Sequence, residues 1–154
     1  MAQIRQSQEV RDWMTPDPVT IGPKTTLPEA FKLMKEFNIR RLPIVHQGDL
    51  VGLVTWGNVR QASPSDATTL SIWELNYLLS QLTIDEIMSR RVFTVKPTDT
   101  IHEAASQMFE HKVSGLPVVE DGEVVGIVTE SDIFRMIVQQ WDRAEEGTES
   151  AALA

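Results

Sequence analysis

The chain contains no cysteine. Disulfides and thiolate chemistry are therefore excluded, and a reducing, cytoplasmic setting is the expectation. Long apolar runs are also missing; none approaches the roughly 18 residues of a membrane span. The opening MAQIRQSQEV lacks the apolar stretch of a secretory leader, so none is expected. Positive charge is short: 14 Lys and Arg stand against 22 Asp and Glu, for a net charge of −8. That balance argues against binding duplex nucleic acid or an anionic membrane. It leaves room for a small anion held by a few cations and backbone amides. No G-x-x-x-x-G-K, H-E-x-x-H or Ser/His/Asp pattern is present, so catalysis has no support. His46 falls in a turn, and His102 and His111 lie about 13 Å apart along one helix, too far to share a metal.

What is present is a duplication. Shifting the 154-residue sequence by 74 superposes Met14 on Met88, Pro43 on Pro117, Gly52 on Gly126 and Thr55 on Thr129. Between Val10 and Arg60 the register needs no gap, and roughly 16 of about 50 positions are identical. A period this long implies two copies of a small domain. Hydrophobic content of 42% and charged content of 23% suit a globular protein.

Both copies read alike. "VTI" (19–21) and "FTV" (93–95) are strand candidates, each followed by a Pro and a Thr-rich turn. Leu27, Ala30, Phe31, Met34 and Phe37 then recur at helical spacing, as do Ile101, Ala104, Ala105 and Met108. Thr26 with Glu29, and Thr100 with Glu103, have capping-box spacing. "LPIV" and "LPVV" lead through "HQGD" and "EDGE" into "LVGLVT" and "VVGIVT", which reads as a β-hairpin. A second helix starts near Trp56 and Glu130. The expected fold is α/β: two pseudo-twofold βαββα copies with mixed three-stranded sheets, at 8–61 and 83–141. A single copy is marginal as an independent core.

Between the copies, 62–82 reads as a polar loop from Pro64 to Thr69, then an amphipathic helix over 70–82. Ser71 and Glu74 have capping-box spacing. The helix either covers the core at the junction or forms a dimer or partner surface. Residues 142–154 read as a flexible polar tail.

"DWMTPDPVTI", "RRLPIV" and "GLVTWGNV" in the first copy, with "DEIMSRRVFTV", "SGLPVV" and "GIVTESDI" in the second, resemble CBS domains. The tandem pair is similar to a Bateman module and to stand-alone bacterial CBS-pair proteins; "SIWELNYLL" resembles the acetoin-utilisation-type subgroup. The resemblance implies a regulatory module and not an enzyme. The implied ligand is adenosine-containing: AMP, ADP, ATP or S-adenosylmethionine, and in some relatives NAD or a diadenosine polyphosphate. It also implies a homodimer and an effector protein still to be identified. A ligand-independent dimerisation scaffold is the alternative.

Two clefts are implied, each combining a T-x-x-D from one copy with residues of the other. The first would use Ile127, Thr129, Ser131 and Asp132 with Met14, Val19, Arg40 and Arg41. A carboxylate can accept from ribose hydroxyls, a helix N-terminus favours phosphate, and Arg can fork onto phosphate oxygens. Met14, Val19 and Ile127 would form the apolar slot for adenine. The second would use Leu53, Thr55, Gly57 and Asn58 with Met88, Phe93, Ser114 and Gly115. There Asn58 replaces the Asp, and Ser114 and Gly115 replace the two arginines, so the Asp132 cleft is the expected nucleotide site. Trp56 either blocks the second cleft or stacks on a base. Thr129 and Asp132 also have the spacing of a helix cap, worth about 1 kcal/mol.

Overall fold

A computed structural model describes residues 8–62 and 71–153. The polar loop expected at Pro64–Thr69 lies outside them. Each copy carries a hairpin, β2 (Arg41–His46) with β3 (Asp49–Thr55), and β4 (Gly115–Glu120) with β5 (Glu123–Thr129). Their turns hold Gln47 and Gly48 at φ 50° and 86°, and Asp121 and Gly122 at 50° and 82°. Two successive positive φ values are those of a type I′ turn, whose twist matches the strands it joins.

Before each hairpin runs a helix, α1 (Leu27–Glu36) or α4 (Ile101–His111). Both capping boxes are made: Thr26 Oγ1 accepts from Glu29 N while the Glu29 carboxylate accepts from Thr26 N, and Thr100 with Glu103 does the same. After each hairpin comes α2 (Trp56–Ala62) or α5 (Glu130–Leu153). The linker helix α3 (Ile72–Gln81) starts from a Ser71–Glu74 capping box. Leu79 and Leu82 pack on a core while Trp73, Tyr77 and Leu78 are exposed.

The strands expected at 19–21 and 93–95 shrink to one bridge each, Ile21 parallel to Ile44 and Val95 parallel to Val118. Ile21 N donates to the Pro43 carbonyl and Val45 N to the Ile21 carbonyl; Val95 does the same with Pro117 and Val119. The next bond toward the N-terminus would need an N–H from Pro43 or Pro117, which proline lacks, so the ladder stops.

A fourth position in each sheet comes from a lead-in segment of the opposite copy. β1 (Thr15–Pro16) pairs antiparallel with β5, Thr15 opposite Ile127 and Pro16 opposite Gly126. Ser89 pairs with Leu53 through two backbone bonds of 2.9 and 3.0 Å. The exchange continues upstream: Ile101 N donates to the Gln8 carbonyl and Val10 N to that of Asp99, as Ile84 N does to Thr25 and Leu27 N to Leu82.

Two compact units result. Of the described residues, one takes those up to Asp17 with Phe93–Asp121 and those from Val125; the other takes those of Pro18–Val92 with Gly122–Val124. The core of the first joins Val10 and Trp13 to Leu116, Val118 and Val128. That of the second joins Ile84 and Met88 to Leu42, Ile44 and Val54. The segment after Trp141 read as a flexible tail is helical: α5 continues to Leu153. Its Ala, Glu and Arg are good helix formers, so its polarity reflects an exposed helix.

Candidate functional site

Strand β5 hands over to α5 at Thr129. The turn is held by Asp132, whose Oδ2 accepts from Thr129 N at 2.9 Å and from Thr129 Oγ1 at 3.2 Å. Among the described residues Asp132 is the buried charged one, 8% exposed. Its other oxygen, Oδ1, accepts from Arg135 Nη2 at 3.1 Å. The same Nη2 donates to the Trp13 carbonyl at 2.9 Å, and the guanidinium lies 5.3 Å from the centre of the Trp13 ring. A buried carboxylate is tolerated when its oxygens are paired this way.

Around this turn the structure gathers several of the expected residues. Ile127 stands opposite Thr15, Met14 lies against Gly126, and Ser131 is exposed in the first turn of α5. The Ser114 carbonyl accepts from Glu130 N, so Ser114 and Gly115 flank the Asp132 turn within the same unit. Phe93 stacks on His111, with ring centroids 3.7 Å apart and planes 7° from parallel.

The twin motif repeats the turn with different chemistry. Thr55 N and Oγ1 both donate to Asn58 Oδ1, at 2.9 and 3.0 Å, and Asn58 N returns a bond to Thr55 Oγ1. Two donors on one oxygen fix the amide, so Asn58 presents an NH₂ donor where Asp132 presents an acceptor. Leu53 and Met88 lie on this side, Met88 against Gly52. Val19 packs into the same core, and the Arg40 carbonyl accepts from Trp56 N while Arg41 stands opposite Thr55. Within their own unit the two arginines stand at the start of β2, beside the Thr55–Asn58 turn. Trp56 stacks on Phe31 at 5.1 Å, with Lys35 over the Phe31 ring, which accounts for it as packing.

Sequence reasoning missed Arg135 and the carbonyl side of Trp13. The available signal was the Asp132–Arg135 spacing, which places two opposite charges on one helical face. In the twin, Gln61 stands where Arg135 does, at the same offset of 74. No cluster of potential metal ligands is found among the described residues, and no described helix is long and apolar enough to cross a membrane.

A model of the CBS domain matches residues 10–65 and again 84–139. The chain belongs to the CBS-domain family. Its tandem CBS pair resembles the CBS domain pair of protein MJ0100, crystallised with 5′-methylthioadenosine and S-adenosyl-L-methionine: 32% identity, TM-score 0.72, covering 86% of this chain and 98% of that one. A putative acetoin utilization protein (AcuB) from Vibrio cholerae superposes at a TM-score of 0.75 with 30% identity, over 90% of this chain and 98% of that one. Among curated relatives, the CBS domain-containing protein YhcV of Bacillus subtilis is 29% identical over 80% of this chain and 81% of its own length. The L-aspartate semialdehyde sulfurtransferase of Methanocaldococcus jannaschii is 35% identical over 82% of this chain, which spans only 23% of that enzyme.

Proposed function

We propose that this CBS pair is a non-catalytic regulatory module that binds an adenosine-containing ligand at the Asp132 turn. The observation that carries the reading is the Asp132 carboxylate itself, buried at a strand-to-helix turn, anchored through Oδ2 and paired with Arg135 through Oδ1. Ribose hydroxyls donate to Oδ1, Thr129 and Ser131 add hydrogen bonds, and Met14 and Ile127 supply apolar contact for adenine. Val19, Arg40 and Arg41 are assigned to the ligand on the family resemblance alone. The weaker set, Leu53, Thr55, Asn58, Met88, Phe93, Ser114 and Gly115, offers ribose hydroxyls no acceptor at Asn58, whose amide oxygen already holds two donors, and is either empty or takes a different, less anionic adenosyl ligand. The adenosyl ligands crystallised with the MJ0100 pair support the ligand class.

The output is a shift between states that an effector protein reads, which requires different ligand affinity in the two states. The chain acts as a homodimer in this reading. A ligand-independent scaffold is the second reading, favoured by the exposed Phe134, Val138 and Trp141 of α5.

A thermal-shift panel with AMP, ADP, ATP and S-adenosylmethionine on wild type and Asp132→Ala separates the two. A ligand at 100 times its Kd adds about 2.7 kcal/mol, a shift of several degrees at this size. Stabilisation lost in Asp132→Ala supports the sensor. No response to any ligand supports the scaffold.

A further inference from the structure

Asp132 has a competitor built into its own helix. A carboxylate has about four lone-pair sites. Thr129 N and Oγ1 fill two on Oδ2, and Arg135 Nη2 fills a third on Oδ1. Among the described residues this leaves one acceptor position, on Oδ1. A ribose 2′,3′-diol brings two donors.

We propose that Arg135 is a positioning residue that sets the sugar selectivity of the Asp132 turn: it occupies the second acceptor position on Oδ1 and is displaced by a ligand bearing both ribose hydroxyls. The inference rests on the adenosyl-ligand reading and deepens it. The two side chains are unequally placed for such an exchange. Arg135 is 51% exposed and is rehydrated readily on leaving, whereas the Asp132 side chain is 12% exposed and held through Oδ2. The pair is therefore a weak lock on a fixed carboxylate. The twin copy has no such lock, because Gln61 and Asn58 replace both partners.

Release of Arg135 also reaches a second place. Its Nη2 is shared with the Trp13 carbonyl, and its guanidinium faces the Trp13 ring. Trp13 precedes Met14 and the β1 pairing with β5. Occupancy of Asp132 is thus passed to the lead-in segment of this unit through one side chain.

The test compares adenosine, 2′-deoxyadenosine and 3′-deoxyadenosine by calorimetry on wild type and Arg135→Met. These nucleosides are uncharged, so loss of a cation near phosphate plays no part. Arg135→Met is expected to tighten adenosine about three- to tenfold and to leave each deoxynucleoside within about twofold. Equal changes for all three, in either direction, overturn the proposal while the ligand reading stands. A wild type that binds none of these nucleosides and is not stabilised by AMP or S-adenosylmethionine overturns the ligand reading itself; one that binds AMP alone is carried through the same comparison with AMP and its 2′-deoxy and 3′-deoxy forms. Should Arg135→Met not fold, Arg135→Lys carries the same comparison, since an ammonium does not reproduce the guanidinium's geometry.

Discussion

Met14 lies directly over the backbone of Gly126. A Cβ at Gly126 would stand 2.5 Å from the Met14 sulfur and 3.0 Å from the Thr15 carbonyl. The methionine can move aside; the β1 backbone cannot do so without losing its pairing with β5. Gly126→Ala should therefore destabilise the chain by about 1–3 kcal/mol, lowering the melting temperature by several degrees. Adding Met14→Ala should recover only part of the loss. An unchanged melting temperature in Gly126→Ala would show that the close approach is not rigid.

Exchanging the two polar positions should exchange the chemistry. Asp132→Asn keeps an oxygen for Thr129 but turns a donor toward the ligand side. Affinity for an adenosyl ligand should fall by about tenfold or more, the worth of a hydrogen bond to a charged group. Asn58→Asp should leave binding at Asp132 intact, because Asn58 holds Thr55 and none of the groups that hold Asp132, which are Thr129 and Arg135. Titration of both variants decides this; full binding by Asp132→Asn would falsify the ribose assignment.

Three carboxylates give the chain part of its acid sensitivity. Glu29 and Glu74 are held below their ordinary value of 4.5, first by the backbone N–H of Thr26 and of Ser71 and then by those residues' hydroxyls. Asp85 is held below 3.8 by Thr83 and then Lys24. With folded values depressed, the stabilisation is complete above the ordinary values and is lost as pH falls through the lower folded ones. Melting measured from neutral pH down through this range should fall, and less steeply in Glu29→Gln with Glu74→Gln. Glu29 and Glu74 are exposed and Asp85 is half-buried beside an exposed Lys24, so the effect is modest and salt-dependent. Parallel curves for the two proteins would exclude these boxes as a source of the acid slope.

Phe134, Val138 and Trp141 are 63%, 51% and 53% exposed at helical spacing on α5. Such a stripe is expected to be covered in the proposed homodimer. Phe134→Glu with Trp141→Glu should give a monomer by light scattering with little change in melting of the chain itself. A wild type that already scatters as a monomer would remove the dimer from the proposal.

Local chemistry was the legible part of this fold. Capping boxes at Thr26, Ser71 and Thr100 and the positive-φ turns at Gly48 and Gly122 depend on residues a few positions apart, so their spacing announces them. The repeat exposed the contrast between Asp132 and Asn58. Pairing of Thr15 with Ile127, and of Ser89 with Leu53, left no such mark, because neither partner's identity encodes a bond between backbones. The shortened strands are hidden in plain letters: Pro43 and Pro117 mark the repeat, and their missing N–H groups also end the ladder. Arg135 was overlooked because its three contacts converge from Asp132 and from Trp13, far away in sequence.

The exchanged lead-in segments carry one more consequence. A lone copy would have a sheet edge without Thr15 or Ser89 and a core without its share of Trp13 or Met88. Two separate copies could repair each other only by meeting, with a yield that depends on how concentrated they are. Joining them end to end makes the loan internal. Each half then finds its missing strand at an effective concentration set by the linker, however dilute the protein becomes.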